Sequence, residues 1–204
     1  MIIKENENER RQFFRIEDSI CLQVEKISPE EYAQSEQELA GKNSEAFLVS
    51  ADFVSLNNEF NHLLNKIKTS SSELAQYLEL LNRKIDLLGH HLLDNELPCT
   101  EADRVPVNLS AAGIAFDHAE PLDPGQQLRI RMVLFPEKIG ILAFGVVVDC
   151  RNADENSHKV CAEISHIREQ DQELMIKHNL NKQMEELRES SEVYGNGGTS
   201  QESE

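Results

Sequence analysis

The sequence predicts an α+β fold: a small antiparallel β-barrel, split by a long helical insertion and followed by a C-terminal helix. Three observations carry this expectation. Residues 13–26 and 105–164 hold short β-rich runs separated by turn residues. Residues 44–93 instead space their apolar side chains three and four apart, with no proline and no glycine before Gly89. Residues 169–189 place Ile176, Leu180, Met184 and Leu187 on one helical face.

In chain order, the first strand falls in Phe13–Lys26, where Ile16, Ile20, Leu22 and Val24 largely alternate with polar residues. Ser28-Pro29-Glu30-Glu31 then reads as a helix start. Ser28 is the N-cap, Pro29 the first helical residue, and Glu31 closes a capping box. Gly41 is placed to end that short helix.

The insertion carries Phe53, Leu56, Phe60, Leu63 and Ile67, and after a polar gap Leu74, Leu78, Leu81, Ile85, Leu88 and Leu92. Steps alternating between three and four form a coiled-coil seam. With Ser70 counted as a small seam residue, the steps 70 to 74 to 78 make a stutter. One continuous helix of about 50 residues would be about 75 Å long. A second reading starts a new helix at the capping box of Ser70 and Glu73 and folds the insertion into a hairpin. The near-phase resumption of the seam favours the single helix. Either form needs a partner surface, within the chain or between chains.

Strands are then expected at Val105–Leu109, Gly113–Asp117, Gln127–Phe135, Gly140–Cys150 and Lys159–Ile164, punctuated by Asp123-Pro124-Gly125, Pro136-Glu137-Lys138 and Asn152-Ala153-Asp154. Five or six such strands suit a closed barrel, which leaves no exposed edge. The tail 190–204 is rich in Gly, Ser and Glu and is expected to be disordered. The expected divisions are 1–34 (N-terminal segment, first strand and helix start), 35–98 (insertion), 99–189 (rest of the barrel and closing helix) and 190–204 (tail).

Composition narrows the function. No apolar run reaches the roughly 18 residues of a membrane span, and the polar start Met1–Glu9 is unlike a signal peptide. A soluble, cytoplasmic protein is expected. Cys21, Cys99, Cys150 and Cys161 form no C-x-x-C pair and are expected as separate core thiols. No metal site is expected, since the Cys and His residues do not cluster in ligand spacing. A net charge of −17 repels the dense phosphates of nucleic acid. A small anion is not excluded, because charges beyond about 8 Å are largely screened at physiological salt. No nucleophile–base spacing, glycine-rich phosphate loop or paired acid motif points to an enzyme.

Two short motifs stand out. In Arg10-Arg11-Gln12-Phe13-Phe14-Arg15, three guanidiniums precede the first strand. Arginine offers a planar fork that fits phosphate and stacks on a base. The plain alternative is an ordinary polar segment beside a strand. In Asn108-Leu109-Ser110-Ala111-Ala112-Gly113, the amide and hydroxyl share one strand face, and Gly113 permits a tight bend or a close approach. The plain alternative here is a β-turn.

Together, Arg-Arg-x-x-x-Arg at the start of a barrel and Asn-x-Ser-x-x-Gly in a following strand resemble the PilZ family. The likeness covers residues 9–26 and 104–168 and leaves the region between as an insertion. A heptad helix in that place resembles the tetramer-forming PilZ subgroup, whose helices assemble as a parallel bundle. The resemblance implies a bacterial receptor for cyclic di-GMP, acting through protein–protein contacts as a homotetramer joined by helices 45–93, with an unidentified downstream protein. It implies that Arg10, Arg11 and Arg15 hold phosphates and guanine edges, and that Asn108, Ser110 and Gly113 line the opposite wall. Two positions depart from the pattern. Asp149 stands where many members offer an aromatic or basic residue, with Arg151 as the candidate to compensate, and Cys161 stands where glycine is usual. An adaptor that no longer binds nucleotide is the alternative.

Overall fold

The structure, a computed structural model, describes residues 15–40, 46–154 and 157–195. Six strands, β1 (Ile16–Lys26), β2 (Val105–Ser110), β3 (Gly113–His118), β4 (Gln127–Leu134), β5 (Ile139–Asp154) and β6 (Ser157–Ile167), close into a barrel in the order β1-β2-β3-β6-β5-β4. All six pairings are antiparallel. The long β1 closes the barrel alone: Ile16–Ile20 pair with β2, and Cys21–Lys26 pair with β4.

Alternation fills the interior. Ile16 and Ile20 of β1, Val107 and Leu109 of β2, Phe116 of β3, Ile130 and Met132 of β4 and Ile141 of β5 point inward and are almost fully buried. A second apolar layer lies outside the barrel on β1, β4 and β5, where Cys21, Val133, Phe135, Leu142 and Phe144 meet Ile27, Leu93 and Leu97. The run Ile139–Val147 of β5 is therefore apolar on both faces.

Helix α1 (Pro29–Ala33) begins as expected. Ser28 Oγ accepts from Glu31 N at 3.2 Å, and Ser28 N donates to Glu31 Oε2 at 2.8 Å. Helix α2 (Ser35–Ala40) follows. Its expected stop, Gly41, lies outside the described residues. Arg129 of β4 bonds to its cross-strand partner Glu25 of β1 at 3.3 Å and to Glu38 of α2 at 2.9 Å, so α2 is tied to the sheet.

The insertion is a hairpin, not one helix. Helix α3 (Ala46–Ser70) and helix α4 (Ser72–Glu96) turn at Ser71, whose backbone is extended (φ −154°, ψ 103°) and whose hydroxyl accepts from Leu74 N at 3.4 Å. The second helix thus starts one residue later than the capping box at Ser70 would place it, and Ser70 instead donates back to Ile67 O. The hairpin's inner contacts are largely small and polar. Asn82 Nδ2 donates to Asn57 Oδ1 at 2.9 Å and to Asp86 Oδ2 at 3.2 Å, and Asn57 Nδ2 donates to Asp86 Oδ1 at 3.1 Å. Phe53 fills the space beside Gly89, where a Cβ would overlap its ring. Most of the expected seam on α4 does not face α3: Leu74, Leu81, Ile85, Leu88 and Leu92 are 40–64% exposed, and of the six only Leu78 is half-buried.

The hairpin base rests on the turn between β4 and β5. Lys138 Nζ lies 2.8 Å from Asp94 Oδ1, and Ser50 Oγ accepts from Gly140 N at 2.9 Å. The closing helix α5 runs from Glu169 to Gly195, beyond the expected end at 189. It seats itself through Asp171, Leu174, Met175, His178 and Asn179, while Leu180, Met184 and Leu187 stay exposed.

The cysteines depart from expectation. Cys21 of β1 and Cys99, between α4 and a short 3-10 turn (Glu101–Asp103), are joined in a disulfide with Cα atoms 6.1 Å apart. The fold brings together residues 78 apart in sequence, a proximity that spacing alone does not reveal. Cys150 and Cys161 remain free and half-buried. No described helix is long and apolar enough to cross a membrane. Among the described residues, no group of three His, Cys, Asp or Glu is placed to hold a metal.

Candidate functional site

The last residue of the first motif, Arg15, and the second motif come near each other because β1 pairs with β2. Glu17 stands opposite Asn108, which stands opposite Ala115, which stands opposite Cys161. The neighbouring row holds Ser110, Gly113 and Glu163. Arg15 precedes Ile16, the partner of Leu109, so continuing the register brings it beside Ser110. These residues occupy the outer face of the barrel, since their strand neighbours Ile16, Val107, Leu109, Ile114 and Val160 fill the interior. Arg15 is exposed; Arg10 and Arg11 lie outside the described residues.

A bulge between Val147 and Asp149 sets the far side of this face. It leaves Val148 exposed and brings Asp149 opposite the outward Cys161. Arg151 then stands opposite Lys159. Both cations already have carboxylate neighbours: Arg151 Nε lies 2.6 Å from Asp149 Oδ2, and Lys159 Nζ lies 3.4 Å from Asp117 Oδ1. Glu17 and Glu163 add two further exposed carboxylates.

The Asn-x-Ser-x-x-Gly segment is rigidly framed. Asn108 Nδ2 donates to Glu17 Oε1 at 2.6 Å, and the buried Ser110 donates through Oγ to Gly113 O at 3.1 Å. Ile164 N donates to Ala112 O at 2.9 Å, and Gln172 of α5 donates to Ala111 O at 3.3 Å. The glycine has a packing reason of its own. A Cβ at Gly113 would stand 2.8 Å from Ala162 O on β6, a backbone atom with little room to yield. Both Ser110 and Gly113 therefore shape the turn, and Asn108 is the member of the motif that offers side-chain hydrogen bonds at the surface. The motif did not point to Glu17 as its partner, although the alternation of β1 puts Arg15 and Glu17 on one face.

Behind the start of β1 lies a polar cluster without a motif. His178 Nε2 of α5 is 2.6 Å from Asp18 Oδ2, both side chains are nearly buried, and Lys182 Nζ is 3.7 Å from Asp18 Oδ1. Burial alone would push the Asp18 carboxyl up. The hydrogen bonds from His178 and Ser19 N and the charges of His178 and Lys182 outweigh it and hold Asp18 below its ordinary value. A carboxyl depressed in the fold stabilises above its unfolded value of about 4 and loses that contribution as pH falls through its folded value. Asp171, whose carboxyl burial pushes up, works in the opposite direction. Urea unfolding from pH 6 down to pH 3 isolates Asp18 by comparison with Asp18→Asn. Wild type is expected to be the more stable at pH 6, with the gap closing as pH falls; a gap independent of pH would contradict the assignment.

The family model of the PilZ domain matches residues 89–180, the stretch from the end of α4 through β2–β6 into α5. Among solved structures, the chain is similar to a pathogenic protein from Xanthomonas campestris described as a new tetrameric PilZ domain self-assembled via an unusual helical bundle. That likeness has a TM-score of 0.57 and 12% identity, and covers 87% of this chain and 92% of that one, so it is a likeness of fold. A shorter similarity, with a TM-score of 0.36 and 26% identity, links 40% of this chain to 42% of a Bacillus subtilis inhibitor of motility. No curated protein matches the chain. β1 lies before the matched stretch and completes the barrel by pairing with β2 and β4. Residues 89–180 therefore match the PilZ domain, within a barrel that has a helical hairpin inserted between its first and second strands.

Proposed function

We propose that this protein is a cyclic di-GMP receptor that acts in the cytoplasm as a helical oligomer, through contacts with other proteins and without catalysis. The observation that supports this best is the meeting of Arg15 with Asn108 and Ser110 on one outer face. Arg10 and Arg11, just upstream in sequence, are the further cations this reading calls on. A cationic segment that closes over an anion, set against a strand whose hydrogen-bonding groups are already fixed, suits a ligand with two phosphates and two guanines.

Calorimetric titration of the full chain with cyclic di-GMP tests this reading. Micromolar or tighter binding is expected. Arg11→Ala, Arg15→Ala and Asn108→Ala should each weaken it by about ten- to a hundred-fold, the scale of one charge-assisted contact of roughly 1.5–3 kcal/mol. Glu17→Gln should strengthen it, because the change removes a carboxylate beside the phosphates and loosens its hold on Asn108. Absence of binding would sink the receptor reading.

One feature favours a second reading, an assembly scaffold without nucleotide. Arg151 is engaged by Asp149 and Asn108 by Glu17, so two of the proposed ligand groups already have partners. Under that reading the hairpin is the working part and Glu17→Gln changes nothing in the titration. In both readings the exposed seam of α4 makes the oligomer. A tetramer through helices 45–93 is proposed by analogy with the helical bundle described for the Xanthomonas protein.

A further inference from the structure

We propose that Cys21 and Cys99 form a redox-reversible clamp that fixes the base of the helical hairpin to the barrel. The inference is independent of the nucleotide and assembly readings, because it concerns only the joint between the two parts of the chain. Cys21 lies on the outward face of β1, and Cys99 lies in the stretch that leads from α4 into β2. Their Cα separation of 6.1 Å falls within the range that a disulfide spans without backbone movement. The cross-link encloses the whole hairpin.

The clamp sits at a joint with modest support of its own. Leu93 and Leu97 of the α4 end pack beside Cys21, Val133, Phe135 and Phe144. Past Leu97, the described backbone bonds are those of one short turn, Asp103 N to Thr100 O at 3.1 Å and Arg104 N to Glu101 O at 3.4 Å. The main core cluster is built from the strands with Ala51, Leu122, Leu174 and Met175, and takes no residue from this stretch. Opening the bond should therefore loosen residues 97–104 while leaving the barrel intact.

The two sulfurs differ in access, which sets the order of the chemistry. Cys99 is half-buried, whereas Cys21 is 3% exposed. With hydrogen peroxide as oxidant, the Cys99 thiolate attacks one peroxide oxygen, giving a sulfenic acid and hydroxide. The Cys21 thiol then attacks that sulfur, and the S–O bond breaks with release of water as the disulfide forms. In sum, two thiols lose two protons and two electrons to one peroxide, which becomes two waters. A dithiol reverses the step by exchange, leaving its own disulfide.

The test uses the full chain, oxidised with hydrogen peroxide or reduced with dithiothreitol, and followed by alkylation mass spectrometry and hydrogen exchange. The expected result is a cross-linked Cys21–Cys99 peptide in the oxidised sample, with Cys150 and Cys161 alkylated. Amides within residues 97–104 should exchange at least about tenfold faster in the reduced sample, with those of β4 and β5 unchanged. Cys99→Ser, a change at a half-buried position, should show the reduced pattern under both conditions. No 21–99 cross-link after peroxide, or equal exchange of residues 97–104 in the two states, would overturn the proposal.

Discussion

Replacing Arg168 with alanine is expected to destabilise the protein by about 3–5 kcal/mol, the scale for removing one partner of a buried ion pair. Arg168 grips Asp171 through two parallel bonds, Nε to Oδ2 and Nη2 to Oδ1, both at 2.8 Å, and its Nη1 reaches Asp52 of α3 at 2.9 Å. Asp171 has no exposed surface. The same residue opens α5, since its carbonyl accepts from Asp171 N and Gln172 N. One side chain thus joins the closing helix to the inserted hairpin, and its loss leaves a carboxylate buried and unpaired.

The pH dependence gives this prediction its signature. Burial pushes the Asp171 carboxyl up, Arg168 opposes that push, and the charge of Asp52 adds to it. Without Arg168 the carboxyl rises further, so the folded variant binds a proton more tightly than the unfolded chain. Its deficit against wild type should therefore shrink between pH 7 and pH 5; the Asp18 gap also closes as pH falls, but there because wild type loses stability, and here because the variant recovers it. Replacing the pair together, Arg168→Met with Asp171→Leu, should recover most of the loss, because no buried charge remains. Urea unfolding at both pH values measures all three. A loss below about 1 kcal/mol at pH 7 would contradict the account.

The barrel was legible in the sequence because most strands announce themselves by alternation, β5 by a continuous apolar run, and the turns by their residues. The strands lie close to their expected places, and β5 simply continues beyond Cys150 to Asp154. The hairpin was less legible for a physical reason. The stripe from Phe53 to Ile67 resumes at Leu74 almost in phase, and phase along a sequence does not distinguish a continuing helix from one that reverses. What joins α3 to α4 is Asn57, Asn82, Asp86 and Gly89, residues that an apolar pattern passes over. The disulfide was equally hidden, because β1 and the end of α4 are brought together only by closure of the barrel.

At the candidate site, the motif marks positions on β2 and its turn but not the work done by each residue. Ser110 and Gly113 shape the β2–β3 turn in the absence of any ligand. Asn108 is held by Glu17, a residue ordinary in sequence and significant only through register. Asp149, which departs from the family pattern, forms an ion pair with Arg151, the residue read as the candidate to compensate for it. Motifs name positions, whereas pairing across strands decides which of those positions still have hydrogen bonds to offer.

Replacing Leu81 and Leu88 together with glutamate is expected to dissolve the proposed oligomer into monomers of 23.2 kDa while leaving the barrel folded. The two residues lie one heptad apart on α4 and are 45% and 64% exposed, between Leu74 at 50% and Leu92 at 40%. The contacts between α3 and α4 run through Asn57, Asn82 and Asp86, so this leucine row is free to meet another copy. Each leucine buried between copies contributes about 1.5–3 kcal/mol, so the double change removes roughly 3–6 kcal/mol per chain before any repulsion between the new charges. The same change costs little in a single chain, because both side chains already face water there. Met184→Glu on α5, a change at 51% exposure outside the seam, is the matched control and should leave the mass unaltered. Sedimentation equilibrium separates the outcomes. A wild type that is already monomeric removes the assembly. A double variant that keeps the wild-type mass moves the interface off α4, and a Met184→Glu variant that dissociates moves it to α5.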